Sequence, residues 1–294
     1  MRELISLSVA NAWDAMRNED PVGAFEWLAN VPEGDEEILR SQVHYALGKR
    51  AMSEGRWPVA EEQFGQASRL ASMPTAQVRV GLLRKRSPLL SSATWMKLRT
   101  TVDPPDRLPH DGAAPLASIW ACGAYYAWHK RGAPWSRFVR MAKKPSDDHE
   151  DRAALTKLGA GFMCRYILEE TPLLREVDAV VPVPADPQRY SERLFSLPDE
   201  LASAIQSQLA VPQVRKALRH TGTGVELRGL SWSERRRAVR ELLEIGEYDS
   251  ERWPSVLVVD DVITSGATMK ECARLLLAGG AKAVHGVALA HTEG

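Results

Sequence analysis

Two adjacent carboxylates, Asp260 and Asp261, end an apolar run in the stretch VLVVDDVITSGAT, and a loop of small and hydroxyl residues, Thr264, Ser265, Gly266, Ala267 and Thr268, follows at once. VLVV is uniformly apolar, the pattern of a central parallel strand covered on both faces. Ligands of open α/β sheets bind outside the carboxyl ends of strands, where the two acids are expected to emerge. The loop leads into a helix expected to start near Gly266 to Thr268 and to stop at Gly279 and Gly280. Free N–H groups at such a start, three nearby hydroxyls and a glycine that admits close approach are the parts of a phosphate-dianion site. A Walker-type lysine and a G-x-G-x-x-G run are both missing, so this is a different phosphate loop. The acids repel a polyphosphate but accept hydrogen bonds from a neutral diol. A ribose 5-phosphate offers both groups: the phosphate for the loop, the 2- and 3-hydroxyls for the acids. The competing reading is that the acids merely cap a helix and face water.

The surrounding elements must place this stretch at a sheet end. From residue 177 onward short Val-rich runs alternate with amphipathic segments: VDAVVPVP, PDELASAIQSQLA, VLVVDD, GATMKECARLLLAGG and AVHGVALAH. Leu197, Leu201, Ile205 and Leu209 share one helical face. Such alternation predicts an α/β domain with a mainly parallel sheet flanked by helices. The first ninety or so residues read instead as helices throughout. SLSVANAWDAMRNEDPVGAFEWLANVPEGDEE and ILRSQVHYALGKRAMSEGRWPVAEEQFGQASRLAS each suggest two helices broken by a polar turn. In the second unit Leu47, Gly48, Gly55, Ala60, Phe64 and Ala67 put small residues where helices must approach, a pattern that resembles a tetratricopeptide repeat. A generic helical hairpin domain is the alternative, because a repeat stack normally needs about three units. Either suits a surface for a protein partner or for self-association through residues 1–92. The Pro-, Gly- and Asp-rich stretch TTVDPPDRLPHDGAAP places the boundary, giving a helical domain at 1–92, a linker at 93–118 and an α/β domain at 119–294.

Composition excludes several classes. Lys plus Arg and Asp plus Glu both number 38, so net charge names no partner. No apolar run approaches the roughly 18–20 residues of a spanning helix, which predicts no membrane association and a cytoplasmic location. Cys122, Cys164 and Cys272 are scattered, with no CxxC pair, and are expected to be buried apolar residues.

VLVVDDVITSGAT resembles the phosphoribosyl pyrophosphate (PRPP) motif of type I phosphoribosyltransferases, in which a hydrophobic strand ends in two acids before a Thr/Ser-Gly phosphate loop. The flanking segments narrow the resemblance to the ComF competence-protein family. VVPVPADPQRYSERLF is similar to that family's first strand and its arginine-containing loop, and ALRHTGTGVELRGLSWSERRRAV to its mobile loop. AVHGVALAHT is similar to the closing strand, and PWSRFVRMAKK to the preceding helical segment, so the resemblance covers residues 119–294.

The resemblance implies that Asp260 and Asp261, the catalytic pair, hold the ribose hydroxyls, and that Thr264, Ser265, Gly266, Ala267 and Thr268 hold the 5-phosphate. Pro184, Ala185 and Asp186, with Arg189 and Arg193, would meet pyrophosphate, and a mobile lid carrying Arg219, His220 and Arg235 would close over it. Mg²⁺ would arrive with PRPP and be held mainly through substrate oxygens. The reaction implied is pyrophosphate displacement from the anomeric carbon, served by positioning and by charge on the leaving group. Several departures matter. The family's RGFNQ element stands here as Arg193, Leu194, Phe195, Ser196 and Leu197, the later Asn is Ala238, and no paired cysteines remain for the family's zinc ribbon. Purine-salvage enzymes commonly carry an Asp three places after the acid pair; Thr264 stands there, which disfavours purine acceptors.

Three readings follow. The first is a PRPP-dependent transferase fused to a helical partner-binding domain, and the second a PRPP- or nucleotide-sensing regulator without turnover. The third is a nucleic-acid accessory protein, since Trp232 sits among Arg235, Arg236 and Arg237, and Trp128 and Trp135 lie in the other basic segment. A solvated helix face explains the run Arg235 to Arg240 equally well. His285 and His291 read as structural or rim residues.

Overall fold

Apolar spacing and small residues build the first part of the chain as α1 (Arg2–Arg17), α2 (Pro21–Leu28), α3 (Glu37–Ser53), α4 (Trp57–Ala71) and α5 (Pro74–Arg84). The structure is a computed structural model and describes residues 2–105, 115–127, 132–143, 149–187, 190–191, 195–222 and 241–293. It divides into two units, Met1–Arg86 with Leu174–Glu176, and Ser87–Leu173 with Val177–Gly294.

In the first unit Asp20 starts α2, its carboxylate accepting from the Gly23 N–H at 3.0 Å, with Pro21 in the first turn where its missing N–H costs nothing. Ala12, Ala24, Leu28, Val31, Leu39 and Val43 form a buried cluster across α1 to α3. The α3–α4 hairpin closes over a tighter contact. A methyl on Gly48 would lie 2.7 Å from the buried Phe64 ring, so only glycine lets the two helices approach this far. Ser41 then spends its hydroxyl on the Ala67 carbonyl at 2.7 Å.

The second unit carries α6 (Ser92–Arg99), β1 (Ser118–Ala121), β2 (Ala124–Tyr126), α7 (Pro134–Lys143), α8 (His149–Glu170), α9 (Leu173–Glu176), β3 (Ala179–Pro182), α10 (Leu197–Leu209), β4 (Leu218–His220), β5 (Leu243–Ile245), β6 (Ser255–Ile263), α11 (Ala267–Ala278) and β7 (Ala283–Glu293); Leu174–Glu176 of α9 counts with the first unit. Its sheet runs β1-β7-β6-β3, with β2 also on β7, and every pairing is parallel. β4 and β5 form a separate antiparallel pair. Helices cover both faces of the sheet. Met269 of α11 meets Gly286, whereas Gly159 of α8 lies against both Phe138 of α7 and Leu289, three places along β7 and hence on the opposite face. The expected parallel α/β sheet flanked by helices, preceded by a helical domain, is the observed fold.

Two differences from expectation concern β1, β2 and residues 93–118. The segments SIWA and AYY are too short to show a period, yet both pair with β7 because that strand has eleven residues to offer. The stretch expected as a linker contains most of α6, and its described parts pack on the second unit. Trp95 is buried against Phe162 with ring centroids 4.7 Å apart, Arg99 pairs with Glu170 at 2.5 Å, and the Ala117 N–H donates to the Val284 carbonyl at 2.8 Å. Aromatic burial outweighs the turn-forming composition that follows it; residues 106–114, in the middle of that composition, lie outside the described residues. No helix among the described residues is long and apolar enough to cross a membrane. All three cysteines are buried, and burial pushes each thiol pKa up, as expected of inert apolar side chains.

Candidate ribose-phosphate site

The core of β6 positions the acids. Val256, Leu257, Val258 and Val259 are buried, and the register with β7 continues through Asp260↔Ala288 and Val262↔Ala290 to Ile263↔His291. The strand therefore runs past the acids rather than stopping at them, because the long β7 gives Ile263 a ladder partner. Alternation along a strand sends Asp260 and Asp261 to opposite faces. The Asp261 N–H donates back to Asp260 Oδ1 at 2.7 Å, and Lys143, at the last turn of α7, donates from Nζ to Asp261 Oδ1 at 3.0 Å. Burial, then the neighbouring Asp261 charge, pushes the Asp260 carboxyl up to about 7, with Lys143 pulling the other way.

The loop after β6 turns on Gly266, whose φ of +71° lies in the left-handed region that glycine occupies without strain. It precedes α11 with no side-chain cap on the helix start, and the Ala267 N–H reaches only Ser265 Oγ at 3.4 Å. Gly266 is buried, Thr264 is exposed, and Ser265, Ala267 and Thr268 are half-buried around it. An uncapped helix start ringed by hydroxyls stands one turn of chain from two carboxylates.

Adjacent strands bring the other expected parts alongside. β3 pairs Pro182 with Val259, and the Val183 N–H donates to the Val259 carbonyl at 2.9 Å, so half-buried Pro184, Ala185 and Asp186 leave the sheet beside Asp260. Arg189 and Arg193, also expected there, lie outside the described residues. Arg219 and His220 sit on β4, the stem of an antiparallel hairpin whose partner strand β5 begins at Leu243. Arg219 faces Glu244 at 3.9 Å, and His220 Nδ1 accepts from the Gly222 N–H at 3.1 Å. A methyl on Gly222 would lie 3.9 Å from Pro187 Cγ, so the stem ends next to the β3 loop. Arg235 and the rest of 223–240 lie outside the described residues.

One charged partner at the site escaped the reading of the sequence. Lys143 lies 118 positions before Asp261, and its only signal was its place in the basic turn of PWSRFVRMAKK. His285 and His291 are both buried, His285 Nδ1 within 2.8 Å of Ser118 Oγ and His291 Nδ1 3.4 Å from Glu293 Oε1. Among the described residues no three His, Cys, Asp or Glu side chains group as a metal site.

Comparison with known proteins bears on this geometry directly. Residues 233–293 match the family model of the phosphoribosyl transferase domain, a span that includes both acids and the whole loop. A 112-residue stretch is 31% identical to competence protein F of Haemophilus influenzae, covering 37% of this chain and 48% of that protein. The chain thus spans about half the length of the curated relative it matches. Residues 233–293 of the second unit are thus similar to phosphoribosyl transferase domains, and β6 and β7 within them lie in a parallel sheet flanked by helices. The longer similarity is to competence protein F.

Proposed function

We propose that the second unit binds PRPP and transfers its phosphoribosyl group. The observation that carries this reading is the single strand–loop–helix of β6, Thr264–Thr268 and α11. It sets two carboxylates and an uncapped helix start at the carboxyl end of a central parallel strand. Asp260 and Asp261 accept from the 2- and 3-hydroxyls of ribose. Backbone N–H groups and hydroxyls of Thr264, Ser265, Gly266, Ala267 and Thr268 take the 5-phosphate. Pro184, Ala185 and Asp186 line the pyrophosphate side, with Arg189 and Arg193 next in sequence. Arg219 and His220 on the β4–β5 stem stand beside the pyrophosphate side; Arg235 lies outside the described residues.

Asp260 and Asp261 suit a Mg²⁺ ion held chiefly through ligand oxygens and water. Bound in this way, the ion would draw negative charge from the leaving pyrophosphate. An acceptor lone pair forms the new bond to the anomeric carbon while the C–O bond to pyrophosphate breaks, the leaving group taking the electron pair. The chain's own residues hold the two ends of the sugar and restrict its approach geometry. Thr264, exposed where purine-salvage enzymes commonly have an Asp, supports a non-purine acceptor.

A second reading is a sensor that binds PRPP without turnover. It is favoured by the altered element at 193–197. Ser196 accepts from the Asp199 N–H at 3.4 Å to start α10, and Leu197 is buried in the core, so these positions serve folding rather than a ligand. Residues 1–92 carry the partner or self-association role: Leu4, Leu7, Val22, Phe25, Trp27 and Ile38 are large apolar side chains left exposed there. Titration calorimetry with Mg–PRPP, followed by pyrophosphate release across bases, nucleotides and nucleic acids, tests both readings. Acceptor-dependent release establishes transfer; binding without release leaves the sensor; no binding sinks both.

A further inference from the structure

Two acids beside a phosphate loop pose an electrostatic conflict, because the carboxylates that suit the diol repel the dianion a few residues away. Sequence offers no cation within the loop itself: residues 256–268 contain no Lys or Arg. The fold supplies one from α7. That helix is pinned at its start, where Trp135 Nε1 donates to the Leu289 carbonyl at 3.1 Å and Ser136 Oγ accepts from the Tyr126 N–H at 3.0 Å. Trp135 stacks on Phe138 at 5.0 Å and meets Phe162 at 4.7 Å, while Val139 and Ala142 are fully buried. A helix docked so tightly along one face has little freedom to slide or rotate. Its last turn therefore delivers Lys143 to Asp261 at 3.0 Å, with the two side chains 35% and 18% exposed.

The geometry points to Lys143 as a built-in counter-cation of the ligand site. It is a positioning residue that fixes one Asp261 oxygen, leaves the remaining acceptor sites of that carboxylate for a ribose hydroxyl, and offsets one negative charge so that a sugar phosphate binds before any metal arrives. This inference rests on the ribose-phosphate reading above. A half-buried ammonium on a half-buried carboxylate is screened less than a surface pair, so its removal is felt by the ligand.

Calorimetric titration of the full chain with ribose 5-phosphate, first without and then with Mg²⁺, tests it. Lys143→Met is expected to weaken metal-free binding roughly tenfold, the size of one lost charge-assisted contact. Lys143→Arg is expected to restore most of it, and Mg²⁺ is expected to narrow the gap for Lys143→Met by supplying the missing positive charge. A cycle with Asp261→Asn should show the two losses to be non-additive. Thermal melts of each variant establish that the fold is kept, and Lys143→Arg preserves the test if Lys143→Met does not fold. Equal affinity of wild type and Lys143→Met overturns the inference alone, as does a deficit that neither Arg nor Mg²⁺ relieves. If wild type binds neither ribose 5-phosphate nor PRPP, the ribose-phosphate reading itself falls and takes this inference with it.

Discussion

The two units of this chain differ in where they leave charged and apolar groups: at a sheet end in one, and on an apolar surface in the other. In the helical unit Phe64 is seated on Gly48 and carries the buried Arg79 guanidinium over its ring at 5.7 Å, while large apolar side chains such as Phe25, Trp27 and Ile38 stay exposed. In the α/β unit the strands are closed over by helices, and two carboxylates are held half-buried near the sheet's end, where Asp261 is paired with Lys143 and Asp260 accepts from the Asp261 N–H. Exposed apolar surface suits docking of a macromolecule, whereas clustered and desolvated charge suits a small charged ligand.

Phe64→Ala should break the comparison most severely if the units depend on each other. Emptying that seat is expected to cost about 3–5 kcal/mol in the helical unit, read by calorimetric unfolding, with PRPP affinity of the folded protein unchanged. One merged transition with lost ligand binding would show the two units to be a single cooperative body. The converse change, Asp260→Asn with Asp261→Asn, should lower PRPP affinity by at least about 100-fold, each lost contact to a charged group counting heavily, while circular dichroism keeps its helical signal. Unaltered affinity would remove the acids from the ligand.

The pH dependence of stability sharpens the contrast further. Asp260 binds its proton more tightly in the folded chain, with a carboxyl near 7 against an ordinary 3.8. Between those values the native state holds more protons than the unfolded one, so stability from this group falls as pH rises through that window. Asp260→Asn should therefore gain on wild type by on the order of 2 kcal/mol at pH 8 and by almost nothing at pH 4, measured by urea unfolding at the two pH values. A constant difference would show that burial does not penalise the ionised form. Smallest of the four, Gly266→Ala forces a side chain into positive φ and should cost about 1 kcal/mol of stability, with a matching loss of phosphate affinity. A phosphate affinity that stays intact despite the strain would place the dianion elsewhere.

How much of this could be read beforehand followed the range of the interactions. The site's centre was legible because thirteen contiguous residues hold strand, acids, turn and helix start together, and the helix began and ended at Gly266 and Gly279 as its glycines indicated. The α2 start at Asp20–Pro21 was equally local. By contrast β1 and β2 have four and three residues, too few to display a period, and exist only because β7 lends them a ladder. Residues 93–99 fall inside the stretch expected as a linker, yet Trp95 packs on Phe162.

By itself, then, the sequence determined the helical first part, the α/β alternation after residue 177 and the strand–loop–helix of 256–268, since helix and strand periods and glycine turns are short-range properties. Only the tertiary structure decided which cation meets Asp261, which loop leaves the sheet beside Asp260 and where the β4–β5 stem stands. Those pairings depend on the register of parallel strands and on how α7 docks, and both are set by packing between residues more than a hundred positions apart, such as Trp135 and Leu289.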